Sequence, residues 1–179
     1  MMLSNLRKEL KSLADPKQAK NLQRFFKTGK GQYGEGDIFL GIKVPVQRQV
    51  AKKYENLSLK DLQILLYSKI HEERLVALLI LVSKYKNSNS MGKGDIFSFY
   101  FKHRKNINNW DLVDLSAPNI IGNYLLDHPN LRYILKKLVK SKSLWDRRIA
   151  IISTLAFIKN GKFLDDVLSI SQILLKDKH

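Results

Sequence analysis

Apolar positions along this chain recur at three- and four-residue spacing almost throughout, and nowhere hold the two-residue alternation of a half-buried strand. Leu3, Leu6, Leu10 and Leu13 begin the pattern, which breaks at Asp15-Pro16, an N-cap followed by a first-turn proline. A second helix is predicted to about residue 27, with Ala19, Leu22 and Phe26 inward. Pro45 opens a segment to about 54, and Ser58 with Asp61 three residues on spells a capping box for a helix to about 68. Residues 72–85 read as a strongly apolar helix with Leu75, Leu78, Leu79 and Val82 inward. A polar connection over 87–92 leads to a helix over 95–103 that carries the richest aromatic cluster. A helix from Trp110 is kinked or restarted at Pro118 and reaches about 126. Pro129 opens another to 140. Ser143 with Asp146 makes a second capping box for a helix over 144–158, Asn160-Gly161 ends it, and 163–175 is the last.

The predicted fold class is therefore all-α: about ten helices joined by short turns and packed in consecutive antiparallel pairs. Helix pairs at a period of ~40 residues are the signature of a HEAT-like helical repeat solenoid, which would present a concave face, here a basic one. One domain spanning 1–179 is expected. Residues 28–44 are the exception to the periodicity. They hold five of the nine glycines, and their Tyr33, Ile38, Phe39 and Leu40 predict a packed loop. Neither GxxxxGK[ST] nor GxGxxG after a strand is present, so the glycines are read as serving backbone conformation.

Charge changes the picture. There are 32 Lys and Arg against 16 Asp and Glu, a net charge of +16 and a sequence pI near 10.0. Nucleic acid is then the leading partner, with an anionic membrane surface or an acidic protein behind it. The absence of cysteine excludes disulfides and thiolate metal sites. The N-terminus has no apolar core of signal-peptide length, and the longest apolar run, 75–82, is far short of the ~20 residues of a membrane span. A monomer of the bacterial or archaeal cytoplasm, associated with the nucleoid and not with a membrane, is expected. His71, His103, His128 and His179 share no ligand spacing and no GxSxG elbow occurs, so neither metal nor cofactor is expected.

One constellation remains. Trp110 and Asp114 are one helical turn apart on a single face, and Arg147 and Arg148 occupy the first turns of the helix after next. The bland reading is open beside it: Trp110 as core, Asp111 and Asp114 as helix-start acids, one arginine pairing Asp146 or another acid and the other solvated.

The stretches Tyr33-Gly34-Glu35-Gly36-Asp37-Ile38-Phe39-Leu40-Gly41-Ile42-Lys43-Val44-Pro45, Trp110-Asp111-Leu112-Val113-Asp114 and Trp145-Asp146-Arg147-Arg148-Ile149-Ala150 together resemble the AlkD-type DNA alkylation repair glycosylases. The resemblance runs in register from the first helices to the end of the chain. It implies a HEAT-like, all-helical enzyme that removes positively charged N3- and N7-alkylated purines from duplex DNA by hydrolysing the N-glycosidic bond. On that resemblance Trp110 is the indole against the lesion's deoxyribose and Asp114 the catalytic carboxylate. Arg148 is the phosphate-binding arginine and Arg147 the alternative to it. Tyr33 and Lys43 on the glycine loop are further DNA-binding candidates, with Lys27 and Lys30 beside them. The family pattern continues past residue 179 into a last helix with a Gly-Trp pair and further arginines, so the expectation is either a shortened piece of the protein or an enzyme with an incomplete aromatic cleft. Two other readings stand against the glycosylase: a non-catalytic binder of duplex or branched DNA, and a helical scaffold for an acidic protein.

Overall fold

A computed structural model describes residues 2–179, and every regular element among them is helical, apart from one isolated parallel bridge between Ile38 and Ile70. The chain forms two compact units, Met1–Asn87 and Ser88–His179. No helix among the described residues is long and apolar enough to cross a membrane.

The first unit holds α1 (Met2–Ser12), α2 (Pro16–Phe25), α3 (Val44–Lys53), α4 (Leu59–Leu66) and α5 (His71–Asn87). Helix α1 buries Leu6 and Leu10 completely, while Leu13, beyond its end, is exposed. The Asp15 side chain accepts from the N–H groups of Lys17 and Gln18 at 2.9 and 3.0 Å, and Pro16 sits where no helical N–H is needed, so α2 starts where its sequence says. The Ser58 capping box closes in both directions and starts α4.

The start of α5 differs from expectation. Four consecutive charged or titratable residues, His71, Glu72, Glu73 and Arg74, are buried there. Glu72, 0% exposed, accepts from the backbone N–H groups of Leu40, Gly41 and Ile42 at 2.9, 2.9 and 3.3 Å. Asp37 accepts from Arg74 at 2.6 Å and lies 3.2 Å from His71 Nδ1, and Glu73 accepts twice from Arg7 of α1 at 2.9 and 3.1 Å. The glycine loop is thus held by ionic and backbone contacts to α5 as well as by apolar packing. Phe39 is buried in a stack between Phe26 and His71, with centroids at 4.9 and 4.5 Å, yet Ile38 points largely into solvent because its backbone bridges to residues 69–71. Gly41 has φ +89°, and a Cβ there would lie 2.2 Å from the carbonyl oxygen of Asp15, so the close approach of loop and α2 requires glycine.

The second unit holds α6 (Ser90–His103), α7 (Trp110–Ala117), α8 (Asn123–Asp127), α9 (Tyr133–Leu138), α10 (Leu144–Ser153), α11 (Leu155–Lys159) and α12 (Leu164–Leu174). The expected polar connection over 87–92 shrinks, because the Asn89 side chain accepts from the N–H of Gly92 at 3.0 Å and α6 begins at Ser90. Pro118 does not end the helix after α7 but widens it into one π-turn, Pro118–Gly122, having no N–H to close a turn onto the carbonyl of Asp114. Pro129 opens only a 3₁₀ turn, Pro129–Leu131, before α9. The expected helix over 144–158 is broken at Thr154, where the Ser153 and Thr154 hydroxyls donate to the carbonyls of Ile149 and Ile151 at 2.6 Å each. Fully buried Tyr100, Leu112, Val113, Ile120, Ile121 and Phe157 form the core of this unit.

Replacing Glu72 with alanine would strand two buried N–H groups and a third that is part-buried, and a loss of about 3 kcal/mol is expected in denaturant unfolding. Asp37 supplies a pH signature. Burial alone would raise its pKa, but the bonds from His71 and Arg74 outweigh it and hold the carboxyl below its ordinary value. A carboxylate lowered in the folded state contributes stability above its unfolded pKa and loses it as pH falls through the folded one. Unfolding midpoints should therefore fall toward acid, and Asp37→Asn should be less stable at neutral pH with a flatter acid limb.

Candidate functional site

The buried Asn109 side chain accepts from the N–H of Trp110 at 2.8 Å, which fixes the first residue of α7. One turn on, Asp114 faces α10. Its two oxygens accept from Arg148 Nε at 2.8 Å and Nη2 at 2.7 Å, a bidentate pair with 35% of the Asp114 side chain and 31% of the Arg148 side chain exposed. That exposure decides what the pair can do, since a ligand can reach both groups without unfolding either helix. Trp110 is half-buried, neither a core residue nor a free one. Asp111 accepts from the N–H of Leu112 at 2.8 Å and behaves as a helix-start acid.

The two arginines part company. Arg147 turns to Asp177, with contacts of 2.5 and 3.1 Å, and to the carbonyls of Ser141 and Lys142 at 3.2 and 3.1 Å. It ties the end of the chain to α10, and its hydrogen bonds hold Asp177 below the ordinary carboxylate range. A cavity of about 120 Å³ lies beside Arg148, lined by Leu144, Arg147, Ile151, Leu174 and Asp177 among others. The Ser143 capping box forms only by half: Ser143 receives the N–H of Asp146 at 3.4 Å, but the Asp146 carboxylate is drawn off to Arg104 at 3.0 Å and the Ser141 hydroxyl at 2.9 Å.

Behind α7, the buried Tyr100 hydroxyl lies 3.0 Å from Ser116 Oγ, whose hydroxyl donates to the carbonyl of Leu112. Burial pushes the Tyr100 pKa up, the Ser116 bond opposes this, and the charge of Asp114 adds to the rise, so the phenol stays protonated. Burial, helped by Lys102, pushes the His103 pKa down and keeps that imidazole neutral. Among the described residues no group of three His, Asp or Glu side chains converges as a metal ion would require.

The other sequence candidates, Tyr33, Lys43, Lys27 and Lys30, lie in the first unit. Tyr33 is half-buried with its hydroxyl 3.5 Å from the carbonyl of Phe25, and Lys43 is an exposed N-cap residue of α3.

A sequence profile described as DNA alkylation repair enzyme matches residues 6–179. The chain belongs to that family. No curated protein matches it. It is similar in structure to a solved protein described as a predicted DNA alkylation repair enzyme from Enterococcus faecalis. The TM-score is 0.66 at 15% identity, over 93% of this chain and 76% of that one. Such a likeness carries the fold, a helical repeat of the DNA alkylation repair family. Family membership makes DNA the partner of this chain at the coarse level and repair of alkylation damage its process. Within that frame Tyr100, Ser116 and Asn109 are residues the sequence reading missed. In sequence Tyr100 and Ser116 show only as polar groups at core-facing helical positions, and Asn109 as an N-cap residue type directly before α7.

The Asp114–Arg148 pair is about one-third exposed on both sides, so water screens it. A double-mutant cycle of Asp114→Asn and Arg148→Gln should return a coupling of only about 0.2–1 kcal/mol in stability. A coupling several times larger would mean that the pair is desolvated in solution.

Proposed function

We propose that this chain is a DNA glycosylase that releases cationic N3- and N7-alkylated purines from duplex DNA, with Asp114 as the catalytic carboxylate. The observation that supports this best is the reachable bidentate pair of Asp114 and Arg148 one turn from a half-buried indole.

An alkylated purine already carries positive charge. When its C1′–N bond breaks, the bonding electrons leave with a neutral base, so no general acid is needed. The barrier lies in the positive charge that develops on the deoxyribose. A fixed carboxylate beside C1′ stabilises that charge, as in glycoside hydrolysis, and the face of Trp110 adds about 0.5–2 kcal/mol of attraction for a cation. Water then bonds to C1′ and gives up a proton to the carboxylate or to solvent.

Paired with Arg148 alone, Asp114 is half of a neutral couple and attracts a cation weakly. Arg148 uses two of its five N–H donors on Asp114 and keeps three. A DNA phosphate bound to those three restores a net negative charge beside the sugar while the carboxylate stays aligned. Arg148 on this reading both positions Asp114 and binds the backbone. Arg147, committed to Asp177, is not assigned that role.

A second reading, a binder of duplex or branched DNA without catalysis, is favoured by one observation: both Asp114 oxygens are occupied by Arg148. Release of 7-methylguanine from methylated duplex separates the two. Asp114→Asn should lower the single-turnover rate by at least about 100-fold, or ~2.7 kcal/mol, while the affinity for duplex stays within about threefold. Base release by Asp114→Asn at the parent rate overturns the assignment, and no release by the parent favours the binder.

A further inference from the structure

Six of the eight arginines are paired with a carboxylate: Arg7, Arg74, Arg104, Arg132, Arg147 and Arg148. Among the described residues Arg24 and Arg48 have no such pair, and Arg24 stands in a distinctive place. Residues 16–34, which span α2 and the first half of the glycine loop, contain five Lys and Arg and no Asp or Glu. Lys17, Lys20 and Arg24 follow the i, i+3, i+7 spacing of one helix face, a row about 10 Å long. They line an open groove of about 740 Å³ whose other walls come from Asn21, Gln23 and Thr28 and from the loop around Gly29. No acidic residue lines it.

The groove is arranged for an anion. Arg24 Nη2 donates to Asn21 Oδ1 at 3.0 Å, so a neutral amide orients the guanidinium and leaves its charge uncompensated. The loop wall is fixed as well: Gly29 N donates to Gln32 Oε1 at 2.9 Å. Amide and hydroxyl groups between cations suit phosphodiester oxygens, which are commonly held by such groups together with Lys and Arg.

We propose that this groove binds a phosphodiester segment of duplex DNA, giving the first unit its own backbone contact in addition to the one assigned to Arg148. The proposal rests on the reading of this chain as acting on DNA. The contact contributes affinity and carries no base sequence information, since phosphates are alike along the duplex.

The test uses the full chain carrying Lys17→Gln, Lys20→Gln and Arg24→Gln together, beside a control carrying Lys105→Gln, Lys159→Gln and Lys162→Gln, which removes the same charge from exposed positions elsewhere. The probes are a fluorescein-labelled undamaged duplex, for affinity against salt, and the methylated duplex, for single-turnover base release at saturating enzyme. For the groove variant the slope of log affinity against log salt should shrink by about 2–3, near 0.9 for each lost phosphate contact, with affinity down at least about tenfold at 0.1 M salt. Base release at saturation should stay within about twofold of the parent, and the control should bind within about threefold of it. Parent-like affinity and slope for the groove variant, or an equal loss in the control, overturns the groove and leaves the glycosylase reading untouched. Absence of duplex binding by the parent overturns both. Loss of base release by Asp114→Asn with no change in the groove variant overturns the groove alone.

Discussion

Carboxylates are scarce in this chain, 16 against 32 cationic side chains, and seven of them pin arginines or loop backbone. In the first unit Glu72 satisfies three loop N–H groups, Asp37 receives Arg74, and Glu73 receives Arg7 from α1. In the second, Asp114, Asp146, Asp166 and Asp177 each hold an arginine from another part of the chain. Taking a charge out of water is costly unless it is paired, so where an arginine is drawn inward a carboxylate must accompany it. The consequence is a division of labour between the two cations. Arginine is largely consumed in ion pairs of the fold, and the excess positive charge that a polyanion would meet is carried mainly by lysine, with Arg24 and Arg48 as exposed exceptions.

The Asp114–Arg148 pair obeys that rule and also departs from it. Both groups retain about a third of their exposure, whereas Asp37 and Arg74 retain almost none. A buried pair is committed to the fold. An accessible one can exchange water for a ligand while the helices that carry it stay in place, and this separates a candidate site from a structural brace using the same two residue types. The contrast between Arg147 and Arg148, adjacent in sequence, has the same origin: one reaches the Asp177 side chain and two carbonyls, the other a carboxylate on a neighbouring helix.

Helix positions were largely legible because apolar spacing and caps are local signals. Asp15-Pro16, Ser58 and Ser143 all start helices as their residue types require. The start of α5 was not legible, because periodicity assigns a run such as His-Glu-Glu-Arg to solvent. Its partners are an aperiodic loop and a residue 66 positions away, which no local pattern reveals. The same limit explains Asp146, whose sequence spells a capping box but whose carboxylate found a charged partner, Arg104, and a stronger bond there than a backbone N–H offers. Ile38 looked like a packing residue by composition and is exposed because its backbone, not its side chain, makes the contact. The residues of the site were named from a motif, whereas their geometry, above all which arginine meets Asp114, became visible only in three dimensions.

Gly122, at the end of the π-turn, lies against α10 so closely that a Cβ would stand 2.3 Å from the carbonyl oxygen of Ser153. Asp114 lies on the same unbroken helical run as Gly122, and Arg148 on the same helix as Ser153. Main chain against main chain therefore sets the offset between the two segments, and the charged side chains inherit their meeting point. Alignment of carboxylate and guanidinium is a property of the scaffold rather than of their mutual attraction. Either charge can be exchanged on such a scaffold and the change read as chemistry, and the same two positions could accept a different pair of functional groups without redesigning what lies beneath them.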